Sequence, residues 1–255
     1  MPTALITGGT AGIGAEFARQ LADRGYDLVL VARDEARLQE YADELRDATA
    51  VDVEILAADL ADREQTLRVA ARLEDADRPI HMLVNNAGFG LRSTLLESDT
   101  SIDERALDVM CRAVLILAGA AARAMKERGR GTIINVSSTA GFMAMGHYSA
   151  VKAWVTAYTE SLATQLKGTG VTVTALCPGW VKTEFHERAN INAASIPDFA
   201  WIDKTLLVRQ AITDAEKGRV ISIPSIGWKV AMGAARILPR PVIRLISGKL
   251  TSKRH

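Results

Sequence analysis

Tyr148 and Lys152 stand four residues apart in the segment Tyr148-Ser149-Ala150-Val151-Lys152. In a helix that spacing puts them on one face, a turn apart. A free phenol has a pKa near 10 and does not readily exchange its proton at neutral pH. A neighbouring ammonium favours the phenolate, and lowering the phenol by ~3 units takes about 4 kcal/mol of differential stabilisation. A partly buried positive partner can supply that. Upstream, in Asn135-Val136-Ser137-Ser138, Ser138 offers a hydroxyl that can hydrogen-bond a carbonyl oxygen and aim it at Tyr148; Ser137 is the alternative. Together these side chains suit proton transfer at a C=O/CH–OH pair.

A second constellation lies near the start of the chain, in Thr7-Gly8-Gly9-Thr10-Ala11-Gly12-Ile13-Gly14. Gly8 permits a tight turn, Gly12 lets a phosphate approach the backbone, and Gly14 lets a helix pack closely on a sheet. Thr10, Ala11 and Ile13 complete the loop. The helix N-terminus behind it offers free N–H groups and the positive end of a dipole to a pyrophosphate. The spacing is GxxxGxG rather than the usual GxGxxG, so the loop's place between a strand and a helix carries the assignment. The end of the second strand, Val31-Ala32-Arg33-Asp34, discriminates between dinucleotides. Ala32 stands where an NAD site places an acid, and Arg33 presents a guanidinium fork suited to a 2′-phosphate. NADP(H) is the cofactor this predicts, with the cationic nicotinamide a second influence favouring the Tyr148 phenolate. Asp34 reads as a helix N-cap.

These residues need a frame, and the hydrophobic pattern supplies one. Apolar runs near 3–7, 27–32, 51–57, 80–85, 131–136, 171–177 and 220–223 read as strands. Helical periodicity fills about 12–24, 34–47, 63–76, 101–128, 147–167 and 203–217. Alternation of this kind predicts a single-domain, Rossmann-like α/β fold. Its sheet is doubly wound and parallel, with about seven strands and helices on both faces. Strands that are apolar throughout, such as Leu28-Val29-Leu30-Val31, fit a sheet covered on both sides. The expected domain is 1–225, including a substrate flap at about 184–202, with 226–255 a basic amphipathic extension of it.

Further motifs lie at the strand ends: Asp59-Leu60, Asn85-Asn86-Ala87-Gly88 and Pro178-Gly179-Trp180-Val181-Lys182-Thr183. With the glycine loop, the serine motif and Tyr148/Lys152 in this order, the chain resembles the classical short-chain dehydrogenases/reductases, strongly over about 3–185 and loosely beyond. The resemblance implies that Asp59 and Leu60 contact adenine and that Asn86, Ala87 and Gly88 line the cofactor. It implies further that Pro178, Gly179, Val181 and Thr183 hold the nicotinamide end, and that Lys152 binds the nicotinamide ribose beside Tyr148. It also implies a homodimer or homotetramer built on the helices near 101–128 and 147–168. Two features depart from the pattern. Met110 stands where the family has an asparagine that supports a proton-relay water; Asp108 or Cys111 takes that place only if the register slips. The stretch between Ser138 and Tyr148 is also shorter than usual.

Composition narrows the partners. Hydrophobic residues make up 48% and charged residues 24%, and 31 basic against 30 acidic residues leave a net charge of +1. That balance argues against a nucleic-acid binder. Cys111 and Cys177 form no CxxC pair, so neither a disulfide framework nor a metal site is expected, and a cytoplasmic, reducing location fits. No secretory signal and no ~18-residue apolar span is expected. The charge is unevenly spread: no acid follows Glu216, and nine basic residues do. In 226–250, Arg236, Arg240 and Arg244 recur among apolar residues, with Pro239 and Pro241 dividing the stretch. Such segments suit an anionic membrane surface, or packing on the acidic body or a second subunit. Phe185, Ile191, Ile196, Phe199 and Trp201 on the flap, with Phe142, Met143 and Met145 on the opposite rim by the family's layout, point to an apolar ketone, aldehyde or ketoacyl substrate. A nucleotide-binding regulatory or membrane-surface protein with low turnover is the rival reading, supported by Met110.

Overall fold

The structure, a computed structural model, describes residues 1–91, 94–182 and 200–252. Seven parallel strands form one sheet in the order β3-β2-β1-β4-β5-β6-β9. They are β1 (Thr3–Thr7), β2 (Asp27–Ala32), β3 (Val53–Ala57), β4 (Met82–Asn85), β5 (Gly131–Val136), β6 (Val171–Leu176) and β9 (Ile221–Ser222). A separate parallel pair joins β7 (Trp180–Val181) to β8 (Trp201–Ile202).

Side chains alternate across the sheet and feed two cores. Ala4 and Ile6 of β1, with Leu28 and Leu30 of β2, pack under α1 (Gly12–Ala22), α2 (Glu35–Ala48) and α7 (Lys204–Glu216), where Phe17, Leu38 and Leu207 are fully buried. Leu5, Val29 and Val31 face the other way. They meet α3 (Arg63–Glu74), α5 (Ala113–Glu127) and α6 (His147–Gln165) through Val69, Leu117 and Val151. The doubly wound sheet expected from sequence is present, its last strand reduced to two residues.

The predicted helix over 101–128 is present, but it is not α-helical throughout. It comprises α4 (Ser101–Leu107), a π-helical turn at Asp108–Arg112, and α5. Such wide turns insert a residue into the helical ladder. After β9 come α8 (Ile226–Ile237) and α9 (Arg240–Ser252), divided at Leu238-Pro239. Pro241 occupies the first turn of α9, where its missing N–H costs nothing.

Because β2 and β4 flank β1, the chain leaves the sheet in opposite directions on either side of β1. The loops after β1 and β4 therefore part and open a crevice beyond the strand C-termini. Close packing at that point depends on Gly14. A Cβ there would overlap the Gly8 carbonyl oxygen and the Asn86 side-chain amide. Gly14→Ala is therefore expected to lower stability by about 1–3 kcal/mol through overpacking. In urea unfolding the midpoint should fall with an unchanged m-value.

Candidate active site

The glycine loop is built for an anion. Gly8 (φ +64°) and Gly12 (φ +54°) adopt left-handed backbone, which side chains disfavour. Helices α2, α3 and α7 are capped by Asp34, Asp62 and Asp203, whose carboxylates accept N–H bonds of the first turn. Helix α1 has Ala11 at that place, no capping side chain, and no acid in its first turn. Its N-terminal N–H groups thus face the crevice without a protein anion, which fits the pyrophosphate of a dinucleotide. Ile13 packs on the core beneath the loop.

Asn86 braces this loop. Its side-chain amide donates to Thr7 O (3.0 Å) and Gly8 O (3.2 Å). The backbone N–H groups of Asn86 and Ala87 donate to Thr7 Oγ1 at 2.9 and 3.0 Å. Through these bonds Asn86, expected from sequence beside the cofactor, ties the end of β4 to the end of β1. At the adenine end, Leu60 is buried. The Asp59 carboxylate accepts from Arg105 (2.7 Å) and from Ala61 N–H (3.0 Å). Burial opposes its ionisation, but Arg105, that N–H and the charge of Arg33 hold its pKa below the usual range. Arg33, just past the end of β2, thus lies close enough to Asp59 to act on it.

The two candidate serines sit in different surroundings. Ser137 is buried, and its Oγ bonds Lys152 O and Thr156 Oγ1, both at 2.7 Å. Ser138 opens the 3-10 turn Thr139–Phe142, accepts from Ala140 N–H at 3.1 Å, and shares a hydrogen bond with Tyr148. Successive residues of extended chain point to opposite sides; here Ser137 points into α6 and Ser138 to the tyrosine. Lys152 is buried, donates from Nζ to Val136 O at 2.9 Å, and lies 5.7 Å from the Tyr148 ring centroid.

Electrostatically the protein alone does the reverse of the simple expectation. Burial pushes the Tyr148 phenol up to about 12, the Ser138 hydrogen bond pulling the other way. Burial pushes Lys152 down to about 8, opposed by the nearby thiols of Cys111 and Cys177. Tyr148 is thus held as a phenol, the form that donates a proton.

Met110 lies in the π turn, almost wholly buried. A Cβ on Gly88 would stand 3.0 Å from its sulfur, so Met110 packs on the Asn-Ala-Gly loop as filler. Cys111 is buried beside it, its thiol pushed up to about 11 by burial. On the far side of the crevice, Pro178 O accepts from Thr139 N–H at 3.0 Å, joining the Pro-Gly loop to the serine turn. Gly179 lies against the Trp228 ring, where a Cβ would overlap the indole, and Val181 is buried in β7. Trp228 Nε1 donates to Ala200 O at 3.1 Å. Phe142, partly buried, packs against the small core of Ala175, Cys177, Ile223 and Met232. Thr183, Phe185, Ile191, Ile196 and Phe199 lie outside the described residues.

The family profile described as short chain dehydrogenase matches residues 2–194. The chain belongs to that family. Among relatives of this short-chain dehydrogenase/reductase is sulfoacetaldehyde reductase 2 of Chromohalobacter salexigens. It is 36% identical over 215 residues, covering 82% of this chain and 84% of the relative. A short-chain dehydrogenase from Sphingobium yanoikuyae, solved in complex with NADPH, superposes with a TM-score of 0.84 at 35% identity, over 92% of this chain and 94% of that one. The bulky-bulky ketone specific alcohol dehydrogenase from Comamonas testosteroni gives 0.79 at 30% identity, over 94% and 96%.

Sequence reasoning missed Arg105, whose pairing with Asp59 spans 46 positions and leaves no local pattern. It also missed the contact of Trp228 with Gly179. That tryptophan in the basic tail was a signal that α8 packs on the body.

The buried lysine has a consequence for the dehydrogenase without ligand. Its pKa of about 8 lies below the ordinary 10.5, so from about pH 8 to 10.5 the unfolded chain binds more protons and stability rises with pH. Tyr148, raised from 10.0 to about 12, acts oppositely, and only above about pH 10. Between pH 8 and 10 the wild type should gain on Lys152→Met, by up to about 3 kcal/mol, read from urea midpoints across that range.

Proposed function

We propose that this protein is an NADP(H)-dependent oxidoreductase that passes a hydride between the nicotinamide and a carbonyl/secondary alcohol pair. In cells it reduces an apolar ketone, aldehyde or ketoacyl compound. The observation that carries the reading is the Ser138–Tyr148 hydrogen bond with buried Lys152 one turn behind it, at the crevice into which the uncapped α1 opens. The names of the relatives, an aldehyde reductase and a ketone-specific alcohol dehydrogenase, and the NADPH of the Sphingobium complex support it.

Gly8, Thr10, Ala11, Gly12, Ile13 and Gly14 cradle the pyrophosphate. Arg33 meets the 2′-phosphate, Asp59 and Leu60 contact the adenine, and Asn86, Ala87 and Gly88 line the cofactor. Pro178, Gly179, Val181 and Thr183 hold the nicotinamide end, which supplies the hydride. Ser138 turns the substrate oxygen toward Tyr148. As negative charge develops there, Tyr148 donates its proton, because an alkoxide is a stronger base than a phenolate even at a raised pKa. Lys152 keeps its polar head against the ring and the Val136 carbonyl.

The segments 1–225 and 226–255 act as one domain, tied by Trp228 on Gly179 and by Ser247 Oγ, which accepts from Ala144 N–H at 3.0 Å. A second copy packs against α4–α6, where Leu107, Leu115 and Trp154 are exposed and Trp154 stacks on Tyr158 with ring centroids 5.0 Å apart. Cys111 and Cys177 are buried and form no disulfide, which suits a reducing cytoplasm.

Titration with NADPH and NADH, followed by nicotinamide fluorescence, is the first test. Arg33→Ala is expected to weaken NADPH binding about 10–100-fold, the worth of a charged hydrogen bond, and to leave NADH nearly unchanged. An equal loss for both removes Arg33 from the phosphate. Tyr148→Phe is expected to lower kcat by about 10²–10⁴ or more with NADPH affinity retained. Undiminished carbonyl reduction by that variant removes Tyr148 as proton donor; NADPH binding by the wild type without turnover of any aldehyde or ketone favours the regulatory reading.

A further inference from the structure

Helices α8 and α9 are apolar on two sides. Toward the body, Met232 of α8 is buried, with Trp228 and Ala235 packed around it. On α9, Ile243 and Ser247 are buried. On the opposite side of α8, Ile226, Val230 and Ile237 are 82%, 68% and 85% exposed. Their spacing of four and seven residues draws a single stripe along the helix. On α9, Leu245 is 62% exposed, with Val242 and Ile246 beside it more than a third exposed. The inner faces explain why these helices fold onto the body; they do not explain the outer stripe.

Charge identifies what covers it. Exposed Lys229, Arg240 and Arg244 border these residues. The segment after Glu216 holds nine basic residues and no acid, while the preceding residues hold 22 basic and all 30 acidic ones, a balance of −8. A second copy meeting this face about a two-fold axis would set basic residues against basic residues. An anionic bilayer would take the apolar stripe into its acyl boundary and the cations onto its headgroups. Among the described residues no helix is long and apolar enough to cross a membrane, so the contact lies along the surface. We propose that the outer face of α8 and α9 docks on an anionic lipid bilayer, with the acidic body turned away from it. The docking does not depend on the oxidoreductase reading.

The test is cosedimentation of the full-length protein with phosphatidylcholine vesicles, with and without phosphatidylglycerol. Binding is expected only with phosphatidylglycerol, and it should fall as salt shortens the screening length. Arg240→Gln with Arg244→Gln should weaken it about 25-fold, from about five-fold per charge removed. Val230→Ser with Ile237→Ser should weaken it too while leaving the circular-dichroism melt near wild type, since neither side chain is in the core. Three results would overturn the proposal: no binding at low salt, equal binding to both vesicles, or binding unchanged in both double variants. Self-association of the wild type without lipid, lost in Val230→Ser/Ile237→Ser and unaccompanied by vesicle binding, would make the face a subunit interface and equally overturn it.

Discussion

The contact on which the site depends is the one between the loops leaving β1 and β4. The sheet order obliges those loops to diverge, yet the crevice needs a fixed floor. Asn86 provides it by bonding two successive carbonyl oxygens of the glycine loop, while Thr7 Oγ1 accepts from two N–H groups of the Asn-Ala-Gly loop. Gly14 lets α1 approach closely enough for these bonds to form. Four hydrogen bonds between neutral groups thereby hold the helix N-terminus in place without an anionic side chain. A carboxylate there, as at Asp62 or Asp203, would have satisfied the same N–H groups and closed the site to phosphate.

A second tension runs through the tyrosine–lysine pair. Burial disfavours charge on both groups, so it raises one pKa and lowers the other. The pair resists becoming phenolate and ammonium on its own. What the protein contributes is position: Ser138 on one side of the phenol, the Val136 carbonyl holding the lysine, and a water-poor floor of Cys111, Cys177 and Thr156. A cationic ring entering such a site acts at low dielectric, where its influence on the phenol exceeds what it would exert in water.

Much of this was legible in the chain. The strands are continuous apolar runs, the glycine loop falls between a strand and a helix, and the four-residue spacing of Tyr148 and Lys152 requires only a helix to bring them together. That Ser137 and Ser138 point to opposite sides follows from alternation in extended chain, a rule available from sequence. The pairing of Arg105 with Asp59 was not legible, because it joins a helix face to a strand end far away in sequence. Nor was the packing of Phe142 on the small core of Ala175, Cys177, Ile223 and Met232, the last of which comes from the far end of the chain. The π turn was not legible either, since nothing in Asp108–Arg112 distinguishes a wide turn from an α-helical one.

That turn sets the phase of everything before it. An α-helix advances by about 100° per residue, so the extra residue within Asp108–Arg112 rotates α4 by roughly that angle relative to α5. With this rotation Arg105 reaches Asp59, Asp103 lies beside His147 at the start of α6, and Met110 meets Gly88. A chain one residue shorter here would keep every motif and a regular helix, yet lose the alignment of all three contacts. Aligning Met110 by residue count alone, against a protein whose helix lacks the wide turn, compares positions that face different ways.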